Sequence, residues 1–393
     1  MTPAARVQTA IVLLDQVIAA ADARGAPADR ILADWFKANR FAGSKDRRAI
    51  RELVYRAIRA CGPVPWNGRS AMLALAGEDP VLLPLFDGST YGPAPVETGE
   101  PVAKGGIAPP WLTERLAASG IEGYEAAALL DRAPLDIRIN ALKADRATLA
   151  LPVEGEPLPS AQGLRFPFGT PVEQWPEFAE GLIEVQDCGS QLACQAVGAM
   201  PGETVIDLCA GAGGKTLALA AAMAGGGTLI AADTDRGRLS RLGPRAARAA
   251  ALVAETLLLD PGRELDALAA WQGKADAVLV DAPCSGTGTW RRNPESRWRL
   301  DEAALDRLTA LQRHLFGLAA GLVRPGGRLI YVVCSLLDEE GPEQVEAFLA
   351  EHPEWRAAPP ALPLGRPCGP GVRLSPLPDG TDGFFIACIE NAC

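Results

Sequence analysis

The sequence predicts an α/β protein: a doubly wound, mostly parallel sheet, preceded by an all-helical region and a small α+β subdomain. Three observations carry that reading. From Glu203 onward, short apolar runs alternate with helical patterns, the mark of parallel strands covered by helices on both faces. Residues 1–75 carry only helical periodicities, and residues 111–185 mix one helix with short strand-like pieces. The expected organisation is a helical domain over 1–75, a linker over 76–110, the small subdomain over 111–185 and the sheet domain over 186–393.

Each element is read from its own residues. "VQTAIVLLDQVIAAADA" sets Val7, Ile11, Leu14 and Ile18 at helical spacing, with Asp15 interrupting. The run is too short and too polar for a signal peptide or a membrane span, so a soluble cytoplasmic protein is expected. "SKDRRAIRELVYRAIR" is the best of the early helices. The tract "GEDPVLLPLFDGSTYGPAPVETGEPVAKGGIAPP" is rich in Pro and Gly and reads as a linker. "WLTERLAASG" reads as a helix, and "LDIRINAL" and "GLIEVQD" as strands. Then come "TVIDLC" and the helix "KTLALAAAMA", "TLIAAD" and the helix "RGRLSRLGPRAARAA", and the strands "ETLLLD", "ADAVLVDAPC" and "RLIYVVC". The last two are separated by a long helical pattern over 301–322.

Composition narrows the chemistry. A net charge of −10 argues against non-specific coating of nucleic acid. The basic residues are clustered, with Arg40, Lys45, Arg47, Arg48, Arg51, Arg56 and Arg59 close together. Arg236, Arg238, Arg241, Arg245 and Arg248 repeat at helical intervals and read as a solvated face. "TWRRNPESRWR" sets Arg291, Arg292, Arg297 and Arg299 among tryptophans, a mixture suited to nucleic acid. The cysteines (Cys61, Cys188, Cys194, Cys209, Cys284, Cys334, Cys368, Cys388 and Cys393) form no CxxC pair. With only His314 and His352 beside them, no common zinc spacing can be assembled. Reduced thiols and no metal are expected.

"VIDLCAGAGGKT" poses the main question. A phosphate-binding P-loop needs a glycine where Cys209 stands, and a dinucleotide fingerprint needs one where Thr216 stands. Small residues from Ala210 to Gly214 nevertheless let a ligand approach the backbone at the start of a helix. One strand later Asp233 can accept hydrogen bonds from both ribose hydroxyls, and Asp260 ends the following run near where an adenine would lie. A nucleoside without a pyrophosphate fits best, and S-adenosyl-L-methionine is the commonest such cofactor.

Open α/β sheets bind ligands beyond the carboxyl ends of their strands, where Asp207, Asp233, Asp260, Asp281, Cys284 and Cys334 fall. If the strands ending in Asp281 and before Cys334 are neighbours, their tips lie about 5 Å apart. Two thiols and a carboxylate then face one pocket. Carbon methylation of a pyrimidine needs such a set. C5 of cytosine is a poor nucleophile until a thiolate adds at C6, and Asp281 can steady charge developing at N3 and N4. The base must leave its stack to be attacked.

"DLCAGAGGKT", "DAPCSGTGTWRRNPE", "YVVCSLLDEEGPEQVEAFL" and "DGTDGFFIACI" resemble the motifs of the RsmB/Sun family of RNA cytosine-C5 methyltransferases. "EVQDCGSQLA" resembles the start of that family's catalytic domain, "LDIRINALKADR" its small RNA-binding subdomain, and "SKDRRAIRELVYRAIR" the NusB-type helical domain of the bacterial rRNA member. The resemblance implies a class I S-adenosylmethionine-dependent fold, Cys334 as the nucleophile at C6, and Cys284 assisting release. It implies a cofactor site lined by Cys209, Ala210, Gly211, Ala212, Gly213, Gly214, Lys215, Asp233, Asp260 and Asp281. The helical domain points to RNA as partner, of the 16S small-subunit type. Val333 stands where the family usually has Thr, and Ala212 where it has Pro. The readings left beside it are a tRNA cytosine methyltransferase, a methyltransferase of protein or small molecules, and a non-catalytic RNA-binding module.

Overall fold

The computed structural model describes residues 1–23 and 25–392; Cys393 lies outside the described residues. The chain forms two compact units. A helical unit holds residues 1–131 together with 289–301, and a sheet unit holds 132–288 and 302–393.

The helical unit is built from α1 (Pro3–Asp22), α2 (Ala28–Ala38), α3 (Ser44–Ala60), α4 (Gly68–Glu78), α5 (Pro110–Ala118) and α6 (Gly123–Ala128). α1 starts where the Thr2 hydroxyl accepts the Ala5 N–H at 3.1 Å, with Pro3 in the first turn. Val7, Ile11, Leu14 and Ile18 are all buried, in one core with Leu32, Phe36, Ile50, Val54, Ile58 and Met72. By length and composition α1 is, among the described residues, the one helix able to cross a membrane, contrary to the expectation of too short a run. Its apolar face is instead the core of the bundle. Asp15, which interrupts that face, accepts the Gly68 N–H at 2.7 Å and so serves the amino end of α4.

Two segments of this unit depart from expectation. The stretch 76–110 packs rather than links: Leu82, Phe86 and Ala103 enter the same core. Gly62 N–H donates to Lys104 O at 3.0 Å, and Ala103 N–H to Ser70 O at 3.1 Å. The Trp-Arg loop is likewise structural and not an open nucleic-acid surface. Arg297 is fully buried and donates from Nη2 to Ile58 O and Cys61 O, both at 2.7 Å. Its guanidinium therefore satisfies the last carbonyls of α3, where a cation is also favoured by the helix dipole. Trp298 joins the core and donates to Gly62 O at 3.1 Å. Arg299 reaches Gly25 O and Ala26 O, and Glu295 accepts the Ala28 N–H at 3.0 Å.

The sheet unit contains two sheets. The small one pairs β1 (Leu135–Ile139), β2 (Glu156–Pro157), β3 (Gly163–Phe166) and β4 (Ile183–Val185) antiparallel in the order β2-β3-β1-β4. It closes over Ile137, Ile139, Phe166, Trp175 and Ile183. The buried Asp136 receives Arg165 at 2.7 Å and the Cys188 N–H at 3.1 Å, tying this sheet to the helix Cys188–Ala196.

The large sheet comprises β5 (Thr204–Asp207), β6 (Thr228–Asp233), β7 (Glu255–Leu258), β8 (Ala275–Asp281), β9 (Val323–Val333), β10 (Trp355–Ala357), β11 (Arg366–Cys368), β12 (Gly371–Leu374) and β13 (Phe384–Asn391). Its order is β11-β12-β13-β9-β8-β5-β6-β7, with β10 on β13. β7, β6, β5, β8 and β9 run parallel, and β13 joins β9 antiparallel. The expected doubly wound α/β sheet is present, with an antiparallel flank that apolar runs alone do not announce. Successive strands leave β5 on one side towards β6 and β7, and the chain then returns to lay β8 and β9 on the other. The crevice at the carboxyl ends of β5 and β8 is thus the switch point, where such sheets take ligands.

Candidate active site

β5 ends on Asp207, and the chain turns through Leu208 to Gly213 into the helix Gly214–Ala222. Gly211 and Gly213 adopt φ of 54° and 87°, a region that side chains avoid. A Cβ at Gly213 would stand 2.2 Å from Leu242, so the helix Leu242–Ala249 packs directly on this turn. Asp233 at the tip of β6 accepts the Gly211 N–H through Oδ2 and the Asp235 N–H through Oδ1, both at 2.7 Å. Each oxygen keeps a second lone pair. Asp233 thereby holds the loop as well as facing the crevice.

The arginine run after β6 is only partly the solvated face expected. Arg236 and Arg241 are exposed, but Arg245 donates from Nη1 to Ala212 O at 2.6 Å and from Nη2 to the buried Glu184 at 2.9 Å. Arg248 pairs with the same carboxylate and lies 4.4 Å over the Phe178 ring. The acceptors of Arg245 lie 33 and 61 residues away in sequence, so helical spacing could not point to them.

Under the loop lies a charged cluster. Lys215 Nζ meets Asp281 Oδ2 at 2.6 Å. Burial alone disfavours a charged lysine, but the Asp281 carboxylate outweighs it and holds the ammonium above its ordinary range. Asp207 is fully buried and takes the Thr216 hydroxyl on Oδ2 at 2.6 Å, while its Oδ1 has no partner. Burial pushes its carboxyl up to about 7, against the Thr216 bond, with the Asp281 charge adding to the rise. An orphaned buried oxygen at a strand tip beside a glycine turn is what a bound ligand's cationic or donor group would satisfy.

The two thiols meet. β8 and β9 pair with Asp281 opposite Val332, and Cys284 Sγ lies 3.4 Å from Cys334 Sγ. Both are half-buried. The bond to Cys334, with burial second, raises Cys284 well above an ordinary thiol. At 3.4 Å either sulfur can donate to the other. Behind them stands a buried polar network: Ser335 and Thr287 exchange a bond at 3.1 Å, Ser285 meets Ser335 at 3.1 Å, and Gly288 N–H donates to Cys334 O at 3.0 Å. Gly288 itself lies against Gly383 of "DGTDGFF", where a Cβ would fall 2.1 Å from a carbonyl oxygen.

The structure thus gathers the glycine turn, Asp233, Lys215, Asp281, Cys284 and Cys334 at adjoining strand ends. Asp260, two residues beyond the end of β7, is exposed and its carboxylate takes no part in this bonding. Missed from sequence were Asp207's orphaned oxygen, Arg245 and Glu184, and the buried pair Glu340 and Gln312. Glu340 sits in the quoted motif "LLDEEG", yet that string does not distinguish it from Glu339. Among the described residues no group of three or more His, Cys, Asp or Glu could hold a metal ion, and the eight described cysteines are free thiols.

Residues 195–390 match the family described as 16S rRNA methyltransferase RsmB/F. A ribosomal RNA small subunit methyltransferase B of Xylella fastidiosa is 36% identical over 288 residues, covering 71% of this chain and 67% of that protein. The chain belongs to the RsmB/F family. A second member, the probable ribosomal RNA small subunit methyltransferase B of Synechocystis, is 35% identical over 66% of this chain and 60% of its own length. The match thus spans under two thirds of that relative. Among solved structures, that of PH0851 is 26% identical, with a TM-score of 0.77 and 99% coverage of both chains. The matched residues 195–390 lie mostly in the sheet unit.

Proposed function

We propose that this protein transfers a methyl group from S-adenosyl-L-methionine to C5 of a cytosine in RNA, through a covalent bond between Cys334 and C6. The observation that carries the reading is the pair of sulfurs 3.4 Å apart at the ends of adjacent strands, beside a glycine turn and the Lys215–Asp281 pair. Membership of the RsmB/F family supports small-subunit rRNA as the substrate, and a cytoplasmic location goes with it.

The residues present fit the cofactor. The glycine turn leads into a helix N-terminus, Asp233 keeps free lone pairs for ribose hydroxyls, and Asp207 Oδ1 awaits a partner. Cys209, Ala210, Ala212, Gly214, Lys215 and Asp260 complete the proposed lining. When bound, S-adenosylmethionine supplies an electrophilic methyl group.

Each chain residue then has a task. Cys334, as thiolate, adds its electron pair to C6 of an extruded cytosine, and the displaced ring electrons make C5 nucleophilic. Asp281, held by Lys215, stabilises the charge pattern at N3 and N4. After methylation a base takes the C5 proton, the C–H pair restores the C5–C6 double bond, and the C6–S pair returns to Cys334. Cys284, 3.4 Å from that sulfur, donates its S–H to the departing thiolate and stabilises it. Bisulfite sequencing of RNA from cells lacking the protein tests the reading: one cytosine in small-subunit rRNA should lose its 5-methyl signal. An unchanged rRNA map would overturn the substrate assignment.

A further inference from the structure

Glu340 is fully buried, and its bonds converge on the turn that carries Cys284. Oε1 accepts the Ser285 N–H at 2.8 Å and the Gln312 amide at 3.0 Å, and Oε2 accepts the Ser285 hydroxyl. Gln312, from the helix Glu302–Ala320, reaches over to Pro283 O at 2.9 Å, so the residues on both sides of Cys284 are gripped. The Glu340 carbonyl in turn accepts the Tyr331 hydroxyl at 2.7 Å, anchoring it to β9. Its carboxylate partners among the described residues are the Ser285 N–H and hydroxyl and the Gln312 amide.

We infer that Glu340 is a positioning residue that decides which of the two neighbouring sulfurs carries negative charge. The inference rests on the proposed role of Cys334 as nucleophile. Two thiols 3.4 Å apart hold one proton between them once the first has ionised, and the pair's charge settles on the sulfur whose surroundings repel it least. The groups acting on Cys284 are Cys334, Glu340 and the Tyr331 hydroxyl, against which the Gly286 backbone N–H alone favours a thiolate. A fixed carboxylate clasping the turn of Cys284 disfavours a thiolate there. The proton stays on Cys284, the S–H points to Cys334, and Cys334 is the thiolate. Without that charge the two sulfurs would compete, and a thiolate on Cys284 is one withdrawn from C6 attack.

The test is alkylation of the full-length protein by iodoacetamide, with the modified cysteine found by mass spectrometry. In the unaltered protein Cys334 should react first at neutral pH, and Cys284 only after it or at higher pH. Glu340→Gln keeps the size and acceptor of the side chain and removes its charge. It should move the Cys334-to-Cys284 labelling ratio towards Cys284 by about tenfold, the equivalent of one pKa unit. Ser285→Ala, which loses the hydroxyl's bonds to Glu340 and Ser335 but keeps the charge, should leave the ratio unchanged. An unaltered ratio in Glu340→Gln, or an equal shift in Ser285→Ala, would overturn the inference. Should Glu340→Gln fail to fold, faster labelling of Cys284 in the unaltered protein does so alone. Failure of the unaltered protein to methylate RNA sinks the functional reading and leaves the labelling order standing, so the two fail separately.

Discussion

At the scale of single residues, the division of work proposed for the two thiols gives each its own test. Cys334→Ala should abolish methyl transfer while leaving the affinity for S-adenosylmethionine unchanged in calorimetry, because the proposed role of that sulfur is towards the substrate and not the cofactor. Cys284→Ala should form the RNA adduct but release it slowly, seen as a retarded band on a denaturing gel, because the leaving sulfur loses its donor. Asp207 offers a prediction of opposite character. Its folded carboxyl titrates at about 7 against an ordinary 3.8, so the folded state binds a proton that the unfolded chain has lost. Stability from this group is therefore greatest in acid, falls as pH rises from about 4 to 7, and stays low above that. Asp207→Asn removes the penalty. At pH 8 the ligand-free variant should be more stable by on the order of 3 kcal/mol, and its Tm should lose the fall across that window. A parallel fall in both proteins would show that the buried carboxylate is not the source.

At the scale of elements, what could be read from sequence was what depends on local pattern. β5, β6, β8 and β9 are continuous apolar runs because both sheet faces are covered, and their ends mark the crevice without any structure. The pairing of β8 with β9 follows from order, and it brought Cys284 to Cys334 as the strand spacing required. What could not be read depends on partners far off in the chain. β7 is an edge strand with mostly exposed residues, so its leucines mimic a buried run. Arg245 sits in a helix with the spacing of a solvated face, yet its two acceptors come from the glycine turn and from β4. Arg245→Ala should leave the fold intact, since Arg248 still pairs with Glu184. The loop carbonyl at Ala212 would lose its donor, and cofactor affinity should drop by about tenfold, on the order of 1–2 kcal/mol, in a calorimetric titration. Unchanged affinity would mean that Gly211 and Asp233 hold the loop alone.

At the scale of the whole molecule, the chain order and the compact units do not coincide. The helical unit takes residues 1–131 and then a thirteen-residue return, 289–301, drawn from between β8 and β9 of the sheet unit. That return is no surface addition. It supplies Arg297 to the carbonyls of Ile58 and Cys61, Glu295 to the Ala28 N–H, and Trp298 to the core and to Gly62 O. Residues 1–131 made alone would leave these backbone groups without partners and expose the apolar surface that Trp298 covers. Removing a buried tryptophan costs about 3–5 kcal/mol, and each abandoned buried acceptor adds about 1–3 kcal/mol. A small helical domain holds roughly 5–15 kcal/mol in all. The fragment 1–131 should therefore melt early and broadly. A synthetic peptide of residues 289–301 should raise its Tm and shift the peptide's tryptophan emission to the blue, while a peptide with Arg297→Ala and Trp298→Ala should do neither. A fragment that melts sharply at high temperature and ignores the peptide would show that the first 131 residues complete their own core.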